Sequence, residues 1–195
     1  MNPSNLKYFN ENGITLDDAC VALLQSIFVQ KTIKRDLYFL KQGEPSVELA
    51  MVKKGLFRTY FIDDKGNDIT KHFYPEGSML FSYKAYVTHE NSMYSIQALE
   101  DCEILAARIS DFEDVINSST LLLSFYKRVL DDALIMKEDH ACSFKSLNST
   151  ERYEQFINQY PGLEKRVKQY HLASYLGITP VSLSRIKNKS ALNKR

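Results

Sequence analysis

The segment QYHLASYLGITPVSLSRIKN, residues 169–188, has the pattern of two short helices that cross at a tight turn. Ala173 supplies the small side chain that a close crossing needs, and Gly177 readily adopts the left-handed conformation of the turn. Thr179 can cap the second helix, and Pro180 suits its first position. The pattern predicts a helix-turn-helix. The alternative is a helical hairpin that serves only for packing.

The outward face of the second helix carries short side chains and a few long bases, which suits insertion into the major groove of DNA. Three residues within one turn are expected to face base edges: Val181, Ser182 and Arg185. Among them, Arg185 is the candidate for a bidentate contact with guanine. Contacts with phosphates are expected from Thr150, Arg166, Thr179, Lys187 and Lys189.

The charge of the chain is unevenly distributed. Residues 149–195 contain nine Lys or Arg and three acids, a net charge of +6, while the other residues contain 16 bases and 21 acids, a net charge of −5. A basic C-terminal block on an acidic body is typical of contact with nucleic acid, although a solvated basic tail would look the same.

The region before this block changes in its pattern of apolar residues along the chain. Residues 15–28 have helical spacing, whereas Val29 to about Ser110 shows short β-branched and aromatic runs separated by turn residues. Glycines 43, 55, 66 and 77 follow each other at intervals of 12, 11 and 11 residues. Evenly spaced strands with glycine at the corners predict a small β-sandwich or barrel.

A long helix is predicted from Thr120 to about Leu147, after a short one over residues 111–117. Its apolar residues repeat at steps of four and three, which favours a seam against a second copy of the chain. The seam residues are Leu122, Tyr126, Val129, Ala133, Met136 and His140. The alternative is an amphipathic helix that packs only on its own core.

Three further helices are expected in the C-terminal block, over residues 149–160, 165–176 and 180–189, the first with an Asn148–Glu151 cap signal. We therefore divide the chain into a β-roll sensor domain (1–118), a dimerisation helix (119–147) and a DNA-binding domain (148–195). The predicted fold class is α+β.

This order of elements resembles the Crp/Fnr family of transcription regulators, the catabolite activator protein family, over nearly the whole chain. The resemblance implies a cyclic-nucleotide-binding-type jelly roll and a homodimer that binds double-stranded DNA at twofold-related sites. RNA polymerase is a further candidate partner. Few residues follow the second helix of the motif, so the wing hairpin of the family is expected to be short or missing.

The cAMP-binding members of the family carry a Glu for the ribose and an Arg-Ser pair for the cyclic phosphate. The corresponding positions here are Ser82 and Ser92-Met93, and residues 78–93 contain neither Gly nor Arg. A buried phosphate without a guanidinium would be poorly paired, which argues against cAMP. A different effector, or none, is expected. The candidate effector pocket consists of Met79, Phe81, Ser82, Ser92, Met93 and Tyr94, although we expect its apolar members, with Tyr83 and Tyr86, to fill the barrel core.

Other functions are less well supported by the residues. A cupin-type enzyme would need a metal triad, and the barrel region contains only His72 and His89 without the required spacing. We expect no enzyme, no metal and no cofactor. Three widely separated cysteines, the absence of a signal peptide and the absence of a long apolar run predict a cytoplasmic protein without a membrane partner. The main alternative is a sensor module whose C-terminal domain binds a protein.

Overall fold

The computed structural model describes residues 15–192, with side chains through Lys189. The strands are β1 (Val29–Ile33), β2 (Tyr38–Leu40), β3 (Glu48–Lys54), β4 (Phe57–Ile62), β5 (Asp68–Tyr74), β6 (Met79–Leu80), β7 (Ser95–Ala98) and β8 (Cys102–Arg108). The helices are α1 (Asp18–Ile27), α2 (Tyr83–Thr88), α3 (Ile109–Asn117), α4 (Thr120–Ser146), α5 (Ser149–Gln159), α6 (Gln169–Tyr175) and α7 (Pro180–Leu192), with a 3₁₀ turn at Leu163–Lys165.

The strands form two antiparallel four-stranded sheets in the orders β1-β8-β3-β6 and β2-β7-β4-β5. Small and aliphatic side chains from both sheets fill the space between them. These buried residues are Leu40, Ala50, Val52, Phe57, Leu80, Ile96, Ala98, Cys102, Ile104 and Ala106. The small β-sandwich or barrel expected from the glycine-cornered strands is therefore confirmed, as are the jelly roll that the resemblance implies and the α+β class.

Three helices cover the first sheet. Helix α1 contributes Cys20 and Leu24, and helix α3 contributes Phe112 and Ile116, to a core that also contains Leu105 of β8. Asp17 caps α1 by accepting a hydrogen bond from the Cys20 amide over 2.7 Å. The first turns of the long helix α4 also pack into this core.

Helix α4 turns part of its predicted seam toward its own chain. Leu122 and Val129 are only 0% and 9% exposed and belong to the core with α1 and α3. Leu123 and Leu134 are 49% and 59% exposed. Since consecutive helical residues are about 100° apart, the exposed apolar row lies one residue further round the helix than expected.

The C-terminal helices share one apolar core with the barrel. Leu56, Phe73 and Leu99 of the barrel region lie in the same buried cluster as residues from α5, α6 and α7. The C-terminal members are Tyr153, Phe156, Leu163, Val167, Leu172, Ala173, Tyr175, Leu176 and Leu183. The C-terminal helices are thus fixed on the barrel by burial rather than tethered to it.

One expectation about this region needs correction. The helix predicted over residues 165–176 begins only at Gln169, because the chain first makes a 3₁₀ turn over Leu163–Lys165. This break lets both Leu163 and Val167 reach the shared core. Cys142 is exposed, whereas Cys20 and Cys102 are buried as small apolar residues.

Candidate nucleic-acid interface

The turn between α6 and α7 has the geometry predicted from its glycine. Gly177 has a φ of +67°, and the amide of Ile178 donates to the carbonyl of Ala173 over 3.0 Å. A Cβ at Gly177 would lie 2.8 Å from the Phe144 ring of α4. Glycine is therefore required both for the backbone conformation and for the approach to α4.

Helix α7 is held at its start and along one side. The Thr179 hydroxyl accepts from the Ser182 amide over 3.1 Å, as an N-cap does. Leu183 is fully buried in the shared core. The opposite face, which includes Ser184, Arg185 and Asn188, is exposed. The structure thus presents α7 as a firmly seated helix with one free face.

The three predicted base-reading residues differ in how much their side chains are exposed to solvent. Val181 is 63% exposed and Arg185 is also exposed. Ser182 is half-buried, and its hydroxyl lies 3.0 Å from the Thr179 hydroxyl. Ser182 therefore takes part in the helix cap, which leaves Val181 and Arg185 as the free members of the set.

The predicted phosphate-contacting residues also lie in different settings. Lys189 is exposed, while Lys187 is half-buried and its amine lies 3.3 Å from a carboxylate oxygen of Glu164. Thr150 is half-buried in the first turn of α5, and its amide donates to the Asn148 side chain. Thr179 is exposed at the start of α7.

Arg166, the fifth predicted phosphate contact, is paired with two acids. Its guanidinium donates to both carboxylate oxygens of Glu76, over 2.8 and 3.0 Å, and also pairs with Glu100. Both acids belong to the barrel region. Arg166 thus links the C-terminal helices to the barrel, and a phosphate would have to compete with two carboxylates.

Ser174 of α6 makes a second polar link that the sequence analysis missed. Its hydroxyl accepts from the Thr70 amide over 2.9 Å and donates to the Asp68 carbonyl over 3.1 Å. These groups belong to β5, which lies at the edge of its sheet. Helix α6 therefore satisfies backbone groups that an edge strand leaves unpaired.

A buried charge cluster lies beside this contact. Arg58 of β4 is 3% exposed and donates to the Asp68 carboxylate over 2.6 Å and to Gln97 over 2.9 Å. His171 of α6 is also 3% exposed, and its Nδ1 has no hydrogen-bond partner among residues 15–192. Burial, and then the charge of Arg58, lower the pKa of His171 to about 4. The imidazole is therefore neutral at pH 7.

The residues at the cyclic-nucleotide position do not fit a phosphate. Ser82 and Ser92 are 1% and 2% exposed, and the Ser92 hydroxyl lies 3.1 Å from that of Ser82. Ser92 also bonds to the Tyr94 carbonyl over 2.8 Å. Lys84 is exposed and lies 3.5 Å from Glu90. The two serine hydroxyls therefore contact each other. In the described part of the chain no unpaired buried cation lies beside them, because the buried Arg58 is paired with Asp68.

The aromatic residues of this segment do not fill the barrel core as expected. Tyr83 and Met93 are 41% and 54% exposed. Met79, Phe81 and Tyr86 pack against the core beneath the helices instead. The reason is that residues 83–88 form helix α2, a helix that the sequence analysis did not predict, and it turns Tyr83 outward.

Comparisons with known proteins agree with this architecture. Residues 30–119 match the family of cyclic nucleotide-binding domains. FixK2 from Bradyrhizobium japonicum superposes with a TM-score of 0.74 at 15% identity, covering 86% of each chain. A Crp/Fnr-family protein from Eubacterium rectale has a TM-score of 0.70 at 15% identity, covering 91% of this chain and 85% of its own. The chain has the Crp/Fnr fold.

The catabolite activator protein of Thermus thermophilus also shares the Crp/Fnr fold, with a TM-score of 0.58 at 18% identity over 94% of this chain and 87% of its own. No curated protein sequence matches the chain. Among residues 15–192, no helix is both long and apolar enough to cross a membrane. The barrel, the long helix and the C-terminal helices thus occur in the order that the Crp/Fnr fold has.

Proposed function

We propose that this chain is a DNA-binding transcription regulator whose helix α7 enters the major groove. The observation that carries the proposal is the seating of α7: Leu183 is anchored in the shared core, while Val181 and Arg185 on the free face point to solvent. Because the helix is already ordered, presenting its side chains to base edges would not incur the entropic cost of ordering it on binding.

Arg185 is the base-reading residue best placed for guanine, because its guanidinium is exposed on the free face. Lys189, Lys187 and Thr179 lie along α7 or at its start and would contact phosphates on either side. Thr150 would do so from the first turn of α5. Arg166 is the least available member of the predicted set, since both Glu76 and Glu100 already pair with it.

We also propose that the regulator acts as a homodimer through α4, on twofold-related sites. The 27-residue helix is about 40 Å long. Leu123 and Leu134 are exposed along it, and half-buried Leu130 lies between them at a seven- and four-residue spacing. Of the predicted seam, Tyr126, Ala133, Met136 and His140 are half-buried and could border this row.

The barrel would act as a sensor domain without a cyclic-nucleotide phosphate site. The Ser82–Ser92 contact stands where a cAMP-binding member needs a carboxylate and a guanidinium. In this proposal residues 1–118 respond to another effector or to none, residues 119–147 hold the dimer, and residues 148–195 bind DNA. Whether a wing follows α7 lies outside the described residues.

The test is selection of bound duplexes from random DNA, followed by titration of the selected duplex and of an unrelated one at several salt concentrations. We expect a palindromic site, as a twofold dimer requires. Arg185→Ala should weaken binding to the selected duplex by about 1–3 kcal/mol and relax its preference. Lys189→Ala should weaken binding to both duplexes and reduce the salt dependence by about one counterion per half-site.

Equal losses on both duplexes for Arg185→Ala would contradict its base-reading role. Failure of the full-length protein to enrich any sequence, or to bind DNA at 50 mM salt, would contradict the proposed function. In that case the alternative of a protein-binding C-terminal domain would stand.

A further inference from the structure

Val181 is an aliphatic side chain that the fold does not use. It is 63% exposed on the free face of α7, whereas Leu183 is fully buried and Ile186 is half-buried against the shared core. A β-branched residue is a weaker helix former than alanine, so its exposed position gains nothing for local structure. The side chain is therefore available for an apolar contact outside the chain.

The neighbours of Val181 limit what that contact can be. Arg185 lies four residues later, on the same face and about 6 Å along the helix axis. Ser182 is turned toward the Thr179 hydroxyl, 3.0 Å away. An apolar group and a guanidinium thus stand side by side at the start of the free face, where a recognition helix meets base edges.

The major groove offers one apolar group at a base edge, the C5 methyl of thymine. Bases stack about 3.4 Å apart along a strand, so side chains about 6 Å apart on a helix reach base pairs no more than two steps apart. Valine has one strongly preferred rotamer in a helix, and its methyl groups therefore already point in a fixed direction before contact.

We propose that Val181 contacts the C5 methyl of a thymine that lies within two base pairs of the guanine bound by Arg185. This inference rests on the proposed function and adds one base to its operator. It assigns Val181 a role in sequence specificity that is independent of charge and hence of salt concentration.

The experiment uses the full chain and the duplex obtained by selection. Each thymine near the guanine is replaced, one at a time and in both half-sites, by deoxyuridine, which lacks only the methyl group. We expect one replacement to weaken binding about fourfold per half-site, since a buried methyl contributes about 0.8 kcal/mol. The other replacements should leave the affinity within about twofold.

The variant Val181→Ala completes a thermodynamic cycle. It should bind the thymine duplex about as weakly as the wild type binds the deoxyuridine duplex, and it should no longer distinguish the two. Val87→Ala, the same substitution at a valine of helix α2 that is 53% exposed, is the matched control and should keep the full discrimination. The salt dependence of binding should be the same for both variants and the wild type.

Three results would overturn the inference while leaving DNA binding intact. They are a selected site with no thymine within two base pairs of the guanine, a wild type that ignores every deoxyuridine, or a Val181→Ala variant that still discriminates fourfold. Absence of any selected duplex would overturn the proposed function and this inference together.

Discussion

The guanidinium of Arg166 donates two hydrogen bonds, of 2.8 and 3.0 Å, to the carboxylate of Glu76. This pair crosses the boundary between the C-terminal helices and the barrel. Glu76 also accepts from the Gly55 amide over 2.9 Å, which fixes the carboxylate on a barrel corner. The hydrogen bond from Arg166 holds the pKa of Glu76 at about 2. The pair is therefore ionised at neutral pH.

Removing either partner should loosen this link. We expect Arg166→Ala and Glu76→Gln each to lower the free energy of unfolding by no more than about 1 kcal/mol, because both side chains are about one-third exposed or more. The loss should shrink at high salt. Urea unfolding at low and high salt measures it.

DNA titration of the same two variants separates the link from a phosphate contact. If Arg166 serves only the link, both variants should keep the wild-type salt slope. A slope reduced by about 0.9 per half-site in Arg166→Ala alone would show that Arg166 reaches a phosphate.

The hydroxyl of Ser174 should contribute measurably to docking of α6. Ser174→Ala leaves the Thr70 amide of the edge strand without its partner, and an unpaired, partly buried amide costs about 1–3 kcal/mol. Urea unfolding should show this decrease. Ser184→Ala, which is exposed on α7, is the control, and an equal effect of both substitutions would argue against the hydrogen bond as the cause.

Acid should destabilise the protein through His171. Its pKa is lowered from 6.5 to about 4 in the folded state, mainly by burial, so the unfolded chain binds the proton more tightly. The contribution to the free energy of unfolding is complete above about pH 6.5 and decreases as the pH falls toward 4. It amounts to about 3 kcal/mol in total.

The variant His171→Gln isolates this effect. Between pH 7.5 and 4.5 it should lose about 2–3 kcal/mol less stability than the wild type in urea unfolding. His72 and His140, whose pKa values are also lowered by burial, are present in both proteins and cancel in the difference. If the free energy of unfolding changed equally with pH in the two proteins, protonation of His171 would not destabilise the folded state.

The exposed row on α4 gives a test of the dimer. We expect Leu134→Asp to raise the dimer dissociation constant by at least tenfold in sedimentation equilibrium, because it places a charge in an apolar contact. Ile135→Asp is the matched control, since Ile135 is 55% exposed compared with 59% for Leu134 but lies about 100° round the helix. Dissociation by the Ile135 variant alone would place the interface on another face.

The sequence predicted those features that local patterns determine. Gly177 marked the turn, Thr179 the cap and Asn148 with Glu151 the capping box, because each acts through backbone groups a few residues away. These choices depend on no distant neighbour.

Other features could not be read from the sequence because they depend on tertiary partners. The apolar repeat of α4 fits two phases, and only the position of α1 and α3 decides that Leu122 and Val129 face inward. Arg166 looks like any other base of a basic block until Glu76 and Glu100 are brought beside it. Ser174 carried no signal, since its partners are backbone groups about a hundred positions away.

The unbroken apolar cluster that joins Leu56, Phe73 and Leu99 to the C-terminal helices bears on how this protein could be re-engineered. A chimera that grafts only the segment after residue 148 onto a foreign sensor would leave Phe156 and Tyr175 without the aromatic ring of Phe73. A workable exchange would have to carry the matching barrel surface with it. The recombination boundary of this molecule therefore follows a buried surface rather than a point in the sequence.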